Sequence, residues 1–136
     1  MKILIVEDEE FFAESLTKFL SQDHLICVKN VSSATTAMKV VKDENYDLII
    51  CDLRLPDLNG EELIKKIAQK NPAQNFYIMS AYEIPELKLK SLGINIIKCF
   101  EKPFDMSDMK NSIINFQQNF TRQNQKNIIE DNHNVE

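Results

Sequence analysis

The stretch "YDLIICDLRLPDLNG", residues 46–60, decides the fold. Leu48 to Cys51 form a continuous apolar run, the pattern of a strand covered on both faces. The run ends on a carboxylate, Asp52, and a turn containing Pro56, Asp57, Asn59 and Gly60 follows. A charge is rarely placed where a strand leaves the core unless something pairs with it. The reading of Asp52 therefore depends on what the rest of the chain brings to that strand end.

Outward from this stretch, short apolar runs alternate with amphipathic ones. "KILIV" (2–6), "LICVKN" (25–30), "NFYIMS" (75–80) and "INIIKCF" (94–100) are the other strand candidates. Between them lie stripes at helical spacing. Phe12, Leu16, Phe19 and Leu20 form the first. Ala34, Ala37, Met38 and Val41 form the second, with Ser32 or Ser33 as its cap. Leu63, Ile64, Ile67 and Ala68 form the third, ended by Asn71-Pro72. Ile84, Leu87 and Leu92 form the fourth, opened by Pro85 and closed by Gly93. Met106, Met109, Ile113, Phe116 and Phe120 form the last. Five strands alternating with five helices predict an α/β fold, a doubly wound five-stranded parallel sheet with helices on both faces. Residues 1–118 make the domain. Residues 119–136 are Gln/Asn-rich and polar, and read as a disordered C-terminal tail or the start of a linker.

The bulk numbers narrow the function. A chain of 136 residues fits one core. Its net charge of −5 argues against direct nucleic-acid binding by this segment. No apolar run is long enough to span a membrane, and the N-terminus lacks the pattern of a signal peptide, so a cytoplasmic location is expected. Cys27, Cys51 and Cys99 each lie in an apolar run, without zinc-ligand spacing, and read as reduced, buried thiols. His24 and His133 read as bystanders.

In parallel sheets ligands sit outside the carboxyl ends of the strands. Glu7, Asp8, Glu9 and Glu10 follow the first strand, Asp52 ends the third, Ser80 ends the fourth, and Lys102 lies just past the fifth. Clustered carboxylates repel and raise one another's pKa, which a hard divalent cation relieves. Mg²⁺ suits a few carboxylates in a shallow site. A metal, an ammonium and a hydroxyl together suit a phosphoryl group, and a carboxylate can accept one as an aspartyl-phosphate.

These residues resemble the receiver domain of two-component response regulators, a flavodoxin-like (βα)5 fold. The matching pieces are "ILIVEDEE", "DLIICDLRLPDLNGEEL", "YIMSAY" and "KCFEKPF". The separations, 28 positions from Asp52 to Ser80 and 22 from Ser80 to Lys102, are usual for that family. The resemblance implies Asp52 as phosphoacceptor and Asp8 as a direct Mg²⁺ ligand, with Mn²⁺ able to substitute. It implies Glu7 as an acid acting through water and the backbone carbonyl of Arg54 as a further ligand. Ser80 matches the mobile hydroxyl residue, Lys102 the phosphoryl-contacting lysine, and Lys102-Pro103 the cis peptide bond. It further implies a histidine kinase or histidine phosphotransfer protein as donor. A downstream protein or output domain would read a switched face built from the fourth helix, fifth strand and fifth helix, with a phosphorylation-dependent dimer as one form of output. The chain would then be no enzyme beyond its own phosphorylation and slow dephosphorylation.

One position departs from the pattern. Three residues before the lysine the family carries Tyr or Phe, and here stands Cys99, followed by Phe100. The switch then runs without the aromatic rotamer, or Phe100 or Tyr82 supplies part of it. Tyr82 and Arg54 flank the site, and Tyr82 is expected to screen the phosphoryl group from water. Asp57 reads as turn chemistry, with Gly60 taking an unusual backbone angle. Two alternatives stay open. A haloacid dehalogenase-type phosphatase uses a similar set but needs a second Asp where Arg54 stands. A phosphorylation-independent receiver-like module that only binds partners is the other.

Overall fold

A computed structural model describes residues 1–133. It divides into two compact units, one from Met1 to Phe104 and one beginning at Asp105. The first holds β1 (Lys2–Val6), α1 (Glu10–Leu20), β2 (Cys27–Val31), α2 (Ala34–Asp43), β3 (Leu48–Asp52), α3 (Gly60–Lys70), β4 (Asn75–Ser80), α4 (Glu86–Ser91) and β5 (Asn95–Glu101). The second is α5 (Met106–His133).

The five strands make one parallel sheet in the order β2-β1-β3-β4-β5. β1 and the inner strands are buried along their lengths because both faces are covered. Alternate residues divide between the faces. Leu4, Val6, Ile49, Cys51, Phe76 and Ile78 pack with Ala37 of α2, Ile64 and Ile67 of α3, and Leu89 of α4. The buried residues of α1, Ala13, Leu16 and Leu20, stand apart from that cluster and cover the other face. Helices lie on both faces, as the alternation predicts.

Local chemistry sets the helix starts. Ser33 caps α2 by accepting the Thr36 N–H at 3.2 Å. Asn59 caps α3 by accepting the Glu61 N–H at 2.8 Å. Gly60 opens α3 at an ordinary backbone angle, and Gly93 alone takes a positive φ among the described residues. The unusual angle expected at Gly60 is therefore absent. A β-carbon on Gly60 would lie 2.2 Å from the Asp52 carbonyl oxygen, so glycine is needed there for close approach.

Three further expectations change. α4 has only six residues and buries Leu89, whereas Leu87 and Leu92 of the expected stripe are exposed. Cys51 is buried, but Cys27 is exposed on the edge strand β2 and Cys99 is half-buried. Order was expected to fade after residue 118, yet α5 continues to His133. Residues 106–133 contain no Gly or Pro to stop the helix. Residues 134–136 lie outside the described residues, as does the side chain of His133. No helix among the described residues is long and apolar enough to cross a membrane.

Candidate functional site

The strand order reverses between β1 and β3, which run side by side with Val6 opposite Cys51. Glu7, just past β1, and Asp52, the last residue of β3, therefore meet at the crevice where such sheets bind ligands. Asp52 lies in register with Met79 of β4, which places Ser80 one residue further on. β4 and β5 bring Ser80 opposite Glu101, and the Lys102 N–H donates to the Ser80 carbonyl at 2.8 Å. Glu7 (1% exposed), Asp52 (5%) and Ser80 (1%) are buried polar residues. Asp8 is exposed.

The Lys102 ammonium joins two of these carboxylates, donating to Glu7 Oε1 and to Asp52 Oδ2. It also stands 4.6 Å from the centroid of the Phe12 ring. The second oxygen of Asp52, Oδ1, accepts the Arg54 backbone N–H at 2.7 Å. Both oxygens of Asp52 are thus held, one by a cation and one by the backbone of the following loop.

The charges here are strained against burial. Burial pushes the Glu7 carboxyl up to about 7; Lys102 opposes the rise and the Asp52 carboxylate adds to it. For Lys102, burial pulls the pKa down, but its bonds to Asp52 and Glu7 outweigh that and leave it raised. One carboxylate oxygen from each of Glu7, Asp8 and Asp52 lies within 4.8 Å of the others. Three hard oxygen donors of net negative charge at this spacing fit a small divalent cation such as Mg²⁺.

Ser80 Oγ accepts the Tyr82 N–H at 3.0 Å, so the hydroxyl closes a turn at the end of β4. The Tyr82 ring lies exposed with the Arg54 guanidinium carbon 3.8 Å from its centroid, a stacked pair beside the site. Cys99 packs on the cluster shared by α2, α3 and α4, and its thiol is raised to about 11, first by burial and then by Glu86. Phe100 is not brought to the site. It stacks with Tyr77 and Phe104, on the opposite side of β5 from Cys99, because successive strand residues face opposite ways. Tyr82 points outward onto Arg54, so neither aromatic occupies the place that Cys99 holds. Lys102-Pro103 is cis, as expected. Glu9 and Glu10 are the cap and first residue of α1.

Asp57 was underestimated. Besides standing in its turn, it accepts two N–H bonds from α2, 22 and 23 residues away. Nothing in the spacing of a turn motif announces a partner that distant.

Comparison with known proteins gives one answer. A family model described as "Response regulator receiver domain" matches residues 3–114. The transcriptional regulatory protein CusR of Escherichia coli is 30% identical over 109 residues, covering 80% of this chain and 48% of that protein. A cyclic di-GMP phosphodiesterase of Thermotoga maritima is 30% identical over 107 residues, covering 78% of this chain and 28% of that one. The chain spans about half or less of the length of these curated relatives. Among solved structures, the non-phosphorylated HemR receiver domain from Leptospira biflexa is similar with a TM-score of 0.74 and 28% identity, covering 84% of this chain and 91% of that chain. The response regulator TrrA from Thermotoga maritima, in complex with Mg²⁺ and BeF, has a TM-score of 0.71 and 25% identity, covering 84% and 96%.

Proposed function

The chain belongs to the response regulator receiver domain family, and from that premise we propose that Asp52 is its phosphoacceptor in a two-component phosphorelay. The observation that carries this is the pair of bonds to Asp52, Lys102 on one oxygen and the Arg54 N–H on the other, beside Glu7 and Asp8.

An Asp52 oxygen attacks the phosphorus of a phosphohistidine. The P–N bond breaks, an acyl phosphate forms, and the histidine leaves with the electron pair and is protonated. Lys102 stands where a phosphoryl oxygen on Asp52 would need a cation. Glu7, Asp8, Asp52 and the Arg54 carbonyl would hold Mg²⁺, which supplies neutralisation of phosphoryl charge; TrrA carries Mg²⁺ with BeF. Mn²⁺ is expected to substitute. Ser80 would leave the Tyr82 N–H and turn its hydroxyl to the phosphoryl group. That exchange of partners is the differential contact that shifts the population between two states. A face that includes α4 and β5 would then meet a protein target, an output domain or a second copy. In this reading the chain catalyses only its own phosphorylation and the slow loss of the group.

A phosphorylation-independent binding module is favoured by Cys99 alone, and the intact set of acids, hydroxyl and lysine weighs against it. The phosphatase reading loses its general acid, since Arg54 occupies that position.

The test is transfer from a histidine-phosphorylated protein carrying labelled phosphate. Label is expected to pass to the wild type in Mg²⁺ and not to Asp52→Asn. Label reaching both equally would overturn the assignment.

A further inference from the structure

Asp57 stands in the loop that leaves the phosphoacceptor strand, and its carboxylate reaches another element. Oδ1 accepts the Ala34 N–H at 3.0 Å and Oδ2 the Thr35 N–H at 2.8 Å; Oδ2 also accepts the Thr35 hydroxyl. First-turn N–H groups have no partner inside their own helix. Ser33 already satisfies that of Thr36, and Asp57 takes two more. A negative charge there also meets the positive end of the α2 dipole.

The loop from Leu53 to Asn59 is thereby anchored in three places. At its start the Arg54 N–H donates to Asp52 Oδ1. At its end the Gly60 N–H donates to the Leu53 carbonyl at 3.0 Å, and Gly60 lies against the Asp52 carbonyl. In the middle Asp57 pins the loop to α2. Leu55 and Leu58 pack against the core on either side of it, and Asp57 supplies the loop's hydrogen bonds to α2. The geometry points to Asp57 as a positioning residue for phosphoryl transfer: by clamping its loop onto α2, it holds the Arg54 backbone beside Asp52. This rests on the phosphoacceptor reading above.

The experiment compares wild type, Asp57→Ala and Asp57→Asn as the full chain. One readout is amide hydrogen exchange at Arg54 by NMR, which needs no phosphorylation. The other is the rate of phosphoryl uptake from acetyl phosphate in Mg²⁺. Asp57→Ala is expected to speed Arg54 exchange and to slow uptake roughly three- to tenfold, less than the 10–100-fold typical of groups bonded directly to metal ligands. Asp57→Asn, which keeps one acceptor oxygen, is expected to recover part of both. If Asp57 only caps α2, exchange rises in the first turn of α2 while Arg54 exchange and uptake stay at wild-type values, and the proposal is overturned. If the wild type takes up no phosphoryl group, the phosphoacceptor reading fails, and Arg54 exchange still decides the clamp. Should Asp57→Ala not fold, Thr35→Val removes only the hydroxyl arm. Faster Arg54 exchange in that variant supports the clamp, and unchanged exchange overturns it.

Discussion

Glu7 is an acid in a place that resists its charge. Its carboxyl is raised from 4.5 to about 7, so the folded chain binds this proton more tightly than the unfolded chain does. The stability that goes with it is fully present below about pH 4.5 and is lost as pH rises through about 7. Glu7→Gln removes that loss. Urea unfolding without metal is expected to show the variant more stable than wild type at about pH 8 by on the order of 1–3 kcal/mol, with the difference shrinking at about pH 4. A variant less stable at the higher pH would show that Lys102 outweighs burial. If Glu7 helps to hold Mg²⁺ as proposed, added Mg²⁺ is expected to stabilise wild type more than the variant.

Tyr82 is the second residue whose role is open to direct test. Its ring is held over Arg54, and an exposed cation–π contact is worth about 0.5–1 kcal/mol, or roughly two- to fivefold in a rate. Tyr82→Ala is expected to lose its phosphoryl group faster by about that factor, followed by intact mass against time. Loss no faster than wild type would remove the screening role. At this scale the site was largely legible. Glu7, Asp8, Asp52, Ser80 and Lys102 all stand at strand ends, and strand ends can be read from apolar runs. The facing of Phe100 and Tyr82 was less accessible, because it depends on register and on stacking partners more than 20 residues away in sequence.

The element that most repays attention is the turn from β3 into α3. Its sequence reads as a glycine turn, but the glycine answers to distance and not to angle. Gly60→Ala would drive a β-carbon into backbone at 2.2 and 2.7 Å, where no side chain can give way. It is expected to destabilise the fold by about 1–3 kcal/mol and to displace the end of β3, read by thermal melting and by weakened Mg²⁺ affinity. A neutral Gly60→Ala would mean that α3 moves freely relative to Asp52. Asp57, in the same turn, is held at about 2 by the Thr35 hydroxyl and the Thr35 and Ala34 N–H groups. Its contribution is present above the ordinary value of 3.8 and lost as pH falls through about 2. Carboxyl NMR titration of Asp57 should give a midpoint near 2, whereas one near 3.8 would mean the bonds to α2 are not kept in solution.

Elements were legible where a period repeats and obscure where it does not. α1, α2 and α3 carry several apolar residues at helical spacing. α4 has six residues, too few for a period to show, and its buried residue is Leu89 where Leu87 was expected. Residues 119–133 were expected to be disordered because they are polar, but polarity does not by itself end a helix that lacks Gly and Pro.

At the scale of the whole molecule, parallel pairing and strand order put four separate pieces of sequence on one edge. β1 and β3 are neighbours although α1, β2 and α2 lie between them in the chain, and this brings Glu7 beside Asp52. The alternation of runs made the sheet predictable. The edge then concentrates negative charge around one lysine, a state that favours a cation and a phosphoryl group together. Asp52 is proposed to accept that group, and intact mass after incubation with acetyl phosphate is the deciding measurement. Wild type is expected to gain one phosphoryl group in Mg²⁺ and none in chelator, and Asp52→Asn to gain none. Wild type without any gain in Mg²⁺, or Asp52→Asn with the same gain as wild type, would contradict it.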